Sequence, residues 1–166
     1  MTNIRPCTDA DVSAIDSIIN EAAAVYEGAI PAECWHRPYM TRAALDSELA
    51  AGVRFWGWDD AGALAGVMGV QDVHDATLIR HAYVRPSYQG RGIGSALLTS
   101  LTDRTERPLL IGTWAAATWA IRFYERHGFQ VVDSRHRDRL LGTYWRIPIA
   151  QRDASVVLTQ RDRRVP

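Results

Sequence analysis

The chain contains no lysine; all 19 of its basic side chains are arginine. That excludes a catalytic or Schiff-base lysine, a phosphate-loop lysine, and acetylation of the chain's own lysine side chains. Anion binding then falls to arginine, whose planar fork grips phosphate oxygens well. Charge of one sign is also missing. The 19 acids balance the arginines, for a formal net charge of zero, which does not indicate nucleic acid or an anionic membrane as a partner. Cysteine is scarce. Cys7 and Cys34 lie far apart without metal-ligand spacing, so idle thiols are expected and no metal site. No apolar run approaches the roughly 20 residues of a membrane span. No basic segment followed by an apolar one marks a secretion signal. A cytoplasmic protein is the expectation. Repeats, linkers and low-complexity segments are absent as well.

What is present fits one domain. The 166 residues, 47% of them hydrophobic, suffice for a single core over residues 1–160, with residues 161–166 expected as a flexible tail. The segment "IRPCTDADVSAIDSIINEAAAVY" reads as a strand and then a helix capped by Thr8, with Val12, Ile15, Ile18 and Ile19 as its apolar stripe. "TRAALDSELAAG" reads as a second helix, capped by Thr41 and stopped at Gly52. A hairpin turning at Asp59 to Gly62 and a strand "ATLIRHAYV" follow. After a further helix come the strand "PLLIGTW", a helix closing on Gly128, the strand "FQVVDS", one helical turn in "RDRLLGTYW" and a last strand "ASVVLT". The order β-α-α-β-β-β-α-β-α-β-β predicts a mixed sheet with helices on both faces, an α/β or α+β domain.

The most informative stretch is "VRPSYQGRGIGSALLTSL". Gly90, Gly92 and Gly94 stand between a strand and a leucine-striped helix. Backbone N–H groups there point at whatever occupies the loop, and the helix N-terminus adds partial positive charge. Glycine lets that backbone approach a guest without a Cβ in the way. Arg91 and Arg85 add charge nearby, and Ile93, Leu97, Leu98 and Leu101 anchor the helix. The spacing is not that of a P-loop, which needs lysine, nor G-x-G-x-x-G. A phosphate cradle is the reading, against the plainer one of a tight turn.

The same stretch resembles the pyrophosphate-binding segment of the GNAT superfamily of acyl-CoA-dependent N-acyltransferases. Its pattern matches at Val84, Pro86, Gln89, Gly92 and Gly94. A second segment, "AIRFYERHGF", resembles the later family helix at Ala120, Ile121, Tyr124, Glu125, Gly128 and Phe129. The resemblance implies a mostly antiparallel central sheet splayed between two parallel strands, with acetyl-CoA held in the splay. It implies that Gln89, Gly90, Arg91, Gly92, Ile93, Gly94 and Ser95 take the pyrophosphate, and that Ala82, Tyr83 and Val84 pair with the pantetheine arm. It further implies direct attack of a neutral amine on the thioester, with Tyr124 returning a proton to the thiolate and contacting the cofactor. On the bare residues Tyr124 is equally a packing tyrosine at a helix end. One departure is Ala117, where the family often carries an asparagine that contacts the pantetheine region; Trp114 or Trp119 would build a more apolar wall there.

Two readings of the base stand side by side. His81 lies mid-strand beside the expected thioester, or is a hydrogen-bonded sheet histidine. His74 and Asp75 sit at the same strand's start, where the family sometimes carries an acid working through water. The strand is one residue long for its role, which suits a bulge. His127 reads as a cation at a helix C-terminus. For the acceptor, two aromatic-rich segments supply Tyr26, Trp35, His36, Tyr39, Tyr144 and Trp145, with Glu33 or Asp138 drawing in a cationic amine. Three functions follow: acetyl transfer to a small-molecule amine, the leading one; acetyl transfer to a protein or peptide N-terminus; and a non-catalytic acyl-CoA-binding module. A homodimer is the family's habit.

Overall fold

Residues 3–163 are described by a computed structural model, which carries six α-helices and seven strands among them. In chain order these are β1 (Ile4–Pro6), α1 (Val12–Ala22), α2 (Arg42–Ala50), β2 (Arg54–Asp60), β3 (Ala63–Val73) and β4 (Ala76–Val84). Then follow α3 (Ile93–Arg104), β5 (Leu109–Trp114), α4 (Thr118–Arg126), β6 (Phe129–Val131), α5 (Ser134–Tyr144), α6 (Ile149–Asp153) and β7 (Ser155–Gln160). The strands form one mixed sheet in the order β1-β2-β3-β4-β5-β7-β6. The pairs β1–β2, β2–β3, β5–β7 and β6–β7 are antiparallel.

The chain divides into two compact units. The first takes in the described residues up to Val25, His36–Gln71 and Ile79–Arg104. Its core gathers Val12, Ile15, Ile18 and Ile19 of α1 with Met40, Leu45, Val53, Phe55, Leu64 and Val67. The α1 stripe is the three-to-four-residue spacing read from sequence. Thr8 does not cap α1 directly. It precedes a single 3-10 turn, Asp9–Asp11, and its backbone N–H donates to Asp11 Oδ2 at 2.8 Å. Arg5 then forks onto Asp11, with Nη1 and Nη2 each 2.9 Å from a carboxylate oxygen, and reaches Asp59 Oδ2 through Nε at 2.8 Å. Thr41 caps α2, its Oγ1 accepting from the Ala44 N–H at 3.1 Å. The hairpin turns at Ala61 (φ 53°) and Gly62 (φ 91°), with the Gly62 N–H donating to Asp59 Oδ1 at 2.7 Å.

The second unit takes in Tyr26–Trp35, Asp72–Leu78 and the described residues from Thr105 onward. Its core joins Ala76, Leu78, Leu110, Leu140, Leu141, Tyr144 and Val157. Register is set by β5 against β7, with Ile111 opposite Leu158. The single helical turn expected around residue 140 is a full eleven-residue helix, α5, and the short α6 was not expected at all. The α5 sequence is polar over its first six residues and buries only Leu140, Leu141 and Tyr144, so its apolar signal is confined to the last turns. Asp133 starts it, Oδ1 accepting from the His136 N–H at 2.9 Å. Of the expected tail, residues 164–166 lie outside the described residues. Arg163 Nη1 donates to the carbonyls of Thr105 and Arg107, each at 3.0 Å. Among the described residues no helix is long and apolar enough to cross a membrane.

Candidate functional site

In the first unit β4 runs out through Ala82, Tyr83 and Val84, passes a 3-10 turn (Pro86–Tyr88) and enters the glycine loop, and α3 starts at Ile93. Gly90 and Gly92 sit at φ 77° and 79°. Both are left-handed, the conformation glycine adopts freely and other residues resist. A Cβ built on either meets nothing within 4 Å. Both Cβ positions therefore face open space. By helix geometry the first N–H groups of α3 lack intrahelical acceptors. Ile93, Leu97, Leu98 and Leu101 are buried and hold the helix in place. Two left-handed glycines leading into a helix N-terminus fit an anionic group such as a pyrophosphate.

The polar residues around the loop divide their work. Gln89 folds back, its Nε2 donating to the Val84 carbonyl at 3.2 Å. Arg91 is exposed, donates from Nη2 to the Ser87 carbonyl at 3.1 Å and lies 4.8 Å from the Tyr88 ring centroid. Arg85 is committed elsewhere. Its Nε donates to the Leu64 carbonyl at 3.0 Å, and its Nη1 to Ser17 Oγ at 3.2 Å and Glu21 Oε1 at 2.5 Å. It fastens the exit of β4 to α1 and β3 rather than adding charge to the loop.

His81 is the unusual residue of β4. Its φ is 50°, left-handed for a non-glycine residue in mid-strand and a local break in the pleat. Its Nε2 pairs with Glu48 Oε2, and its ring lies 6.0 Å from that of buried Phe55, 25° from coplanar. The other Glu48 oxygen, Oε1, accepts from Arg80 Nη2 at 3.2 Å, and Arg80 Nη1 reaches Gln71 Oε1 at 2.9 Å. Burial works to raise the Glu48 pKa, but the hydrogen bond from His81 and the charges of His81 and Arg80 outweigh it and hold the group below the usual carboxylate range. Sequence singled out His81 and passed over Glu48, an acid in an otherwise ordinary helix. His36 also falls in this unit and is exposed; Tyr39 packs against the core.

The second unit holds Tyr124, on α4. It is buried (6% exposed) between Phe123 and Phe129, whose rings stand edge-on at 5.1 and 6.2 Å. Burial, with a contribution from Tyr26, pushes its pKa well above the ordinary tyrosine range. The phenol is thus a proton holder at neutral pH, the state a donor needs. Ala117, the departure from the family pattern, is fully buried at the N-cap of α4. Trp119 is half exposed and stacks on Tyr26 at 6.1 Å, while Trp114 is buried. The α4 helix closes at Gly128 (φ 86°), and the His127 Nδ1–H donates to the Phe123 carbonyl at 2.7 Å, the helix-end position expected of it.

The acceptor candidates of this unit are Tyr26, Trp35, Tyr144 and Trp145. Tyr144 is buried and its Oη donates to Asp75 Oδ1 at 2.5 Å. His74 (φ 51°) stands edge-on to Tyr144 at 5.9 Å, its carbonyl accepting from Arg107 Nη1 at 2.9 Å. Trp145, at the end of α5, packs its ring so close to Gly112 of β5 that a Cβ there would meet it at 3.1 Å. Trp35 is half-buried.

Comparison with known proteins agrees with this layout. Residues 51–131 match the model of the acetyltransferase (GNAT) domain, a span that holds His81, the glycine loop and Tyr124. The chain is 27% identical over 95 residues to peptidyl-lysine N-acetyltransferase YiaC of Escherichia coli (strain K12), a match over 57% of this chain and 62% of that protein. The fold is that of the PaiA N-acetyltransferase from Thermoplasma acidophilum, solved in complex with coenzyme A (TM-score 0.69, 16% identity, 95% of this chain and 96% of that one). It is equally that of the ribosomal-protein-S18-alanine N-acetyltransferase from Escherichia coli (TM-score 0.69, 22% identity, 96% and 93%). The glycine loop and the buried tyrosine thus both fall within a stretch that matches the GNAT acetyltransferase domain, and the chain has the fold of the N-acetyltransferases just named.

Proposed function

We propose that the protein transfers the acetyl group of acetyl-CoA to the primary amine of a small molecule. The observation that carries the transferase reading is the glycine loop: two left-handed glycines with open space where a side chain would stand, opening directly into α3. Acetyl-CoA supplies the activated acyl group. The amides of Gly90–Ser95 hold its pyrophosphate, and the backbone of Ala82, Tyr83 and Val84 holds its arm. His81 takes the proton from the incoming ammonium. Tyr124 carries a proton at Oη under neutral conditions and gives it to the leaving sulfur. Arg91 adds charge at the rim of the loop.

The small-molecule acceptor is supported by the aromatic character of Tyr26, Trp35, Tyr144 and Trp145, which suits flat or cationic amines. His36 belongs to the same set in sequence. The relationship to a peptidyl-lysine N-acetyltransferase favours a second reading, in which the amine belongs to a protein or peptide. Free-thiol release from acetyl-CoA against aryl amines, polyamines, amino acids, aminoglycosides and lysine-containing or free-N-terminal peptides separates the two. Release with small amines alone supports the first reading; release with peptides alone replaces it with the second. No release from any amine, with acetyl-CoA bound, leaves a cofactor-binding module instead.

A further inference from the structure

We infer that Glu48 is a positioning residue for His81: it fixes the imidazole in the Nε2–H tautomer and leaves Nδ1 as the nitrogen that accepts the substrate proton. The inference rests on the reading of His81 as the base and adds a partner from another element, α2.

The geometry behind it begins with the strand. In a regular strand, consecutive side chains point to opposite faces. Arg80 and His81 are consecutive, yet both reach the carboxylate of Glu48, Arg80 at Oε1 and His81 at Oε2. The left-handed backbone at His81 (φ 50°) is what breaks the alternation. Such a conformation is strained in a non-glycine residue and persists only where its surroundings hold it. Here the surroundings are the stack on Phe55 and the bond to Glu48.

Charge settles the donor. Glu48 accepts from Arg80, so its carboxylate is ionised beside a permanent cation. An ionised carboxylate only accepts, so the proton in the Glu48–His81 contact belongs to His81 Nε2. In the neutral ring Nδ1 then holds a lone pair. When the ammonium loses its proton, one N–H bond breaks at the substrate and one forms at His81 Nδ1. The positive charge that appears on the ring is met by Glu48. A carboxylate behind an imidazole does the same for other histidine bases.

Two measurements test this, on the whole chain. The first is nitrogen-15 spectroscopy of the histidine rings at alkaline pH, with His81 assigned by its disappearance in His81→Asn. The wild type is expected to show a bare Nδ1 and a protonated Nε2. Glu48→Gln, whose amide can donate or accept, is expected to show both tautomers. Glu48→Asp, which keeps the charge beside Arg80 and shortens the reach, is expected to show the same loosening. The second is steady-state thiol release with whichever of benzylamine, spermidine or a lysine peptide the wild type turns over fastest. Glu48→Gln is expected to lower kcat by about 100-fold and to leave the acetyl-CoA dissociation constant within about twofold.

A protonated Nδ1 in the wild type overturns the inference, and that result needs no acceptor. So does an unchanged kcat in Glu48→Gln while His81→Asn is inactive, which would spare His81 as base. Wild-type turnover in His81→Asn overturns the base reading itself and this inference with it.

Discussion

Tyr144 at the end of α5 donates a 2.5 Å hydrogen bond from Oη to Oδ1 of Asp75, 69 residues earlier in the chain. The bond ties α5 to the turn that precedes β4. It also moves both groups: burial first, then Asp75, pushes the Tyr144 pKa up to about 12, and Tyr144 is the main cause of the lowered Asp75 pKa. The signs follow. Tyr144 is raised above its unfolded value near 10, so its contribution is present below that pH and is lost as pH climbs toward 12. Asp75 is lowered, so its contribution is present above the ordinary carboxylate range and is lost as pH falls. Tyr144→Phe is expected to return the Asp75 pKa toward its ordinary value, read by carbon-13 titration of the carboxyl. It is also expected to flatten the loss of thermal stability between pH 10 and 12 seen in the wild type. An Asp75 titration identical in both proteins would mean the bond is not formed in solution.

The glycine loop makes a sharper prediction. Gly92 has φ 79° and open space around a built Cβ. A side chain there strains the backbone by about 1 kcal/mol and projects into the space assigned to the pyrophosphate. Gly92→Asp adds a negative charge as well. The variant is expected to fold, with a melting temperature within a few degrees of wild type, and to lose acetyl-CoA affinity by at least about 100-fold in calorimetry. Undiminished affinity would take the pyrophosphate away from this loop.

How much of this was legible before the structure depends on the range of the interactions. Gly90, Gly92 and the α3 stripe are local, so spacing alone announced them, and Tyr124 stood inside a short pattern that ends at Gly128. The mixed sheet with its helices followed from the alternation of strands and helices, though the strand order within it did not. Three features were out of reach because they depend on distant partners or on broken periodicity. Arg85 looked like a loop cation, and its engagement with Leu64, Ser17 and Glu21 depends on chain segments 64 and more residues away for the side chains. The α5 helix buries three residues near its end, too few for a stripe. Glu48 meets His81 only because the backbone at 81 is left-handed, where a regular strand would have turned that side chain away.

Tyr124 tests the proton donor. Its buried phenol, packed between Phe123 and Phe129, keeps its proton through neutral pH because burial raises its pKa. Removing only the oxygen leaves that packing in place. Tyr124→Phe is expected to reduce kcat by about 100-fold, within the range of general acid catalysis, while the acetyl-CoA dissociation constant changes less than threefold. Equal loss in both would assign the hydroxyl to binding, and no loss would make Tyr124 a packing residue.

Arg85 separates charge in the loop from support beneath it. Its Nε and Nη1 are spent on Leu64, Ser17 and Glu21, and its bond is the main cause of the lowered Glu21 pKa. Arg85→Ala removes hydrogen bonds to a charged donor, worth about 1.5–3 kcal/mol each when buried and less here, since the Glu21 side chain is 47% exposed. The expected result is a drop in unfolding free energy of about 1–2 kcal/mol. Part of it should disappear as pH falls through the depressed Glu21 pKa, because the protonated acid no longer pairs. Acetyl-CoA affinity is expected to stay within about threefold and to keep its salt dependence, since the guanidinium does not face the loop. A tenfold loss of affinity with a shallower salt slope would place Arg85 on the phosphates after all.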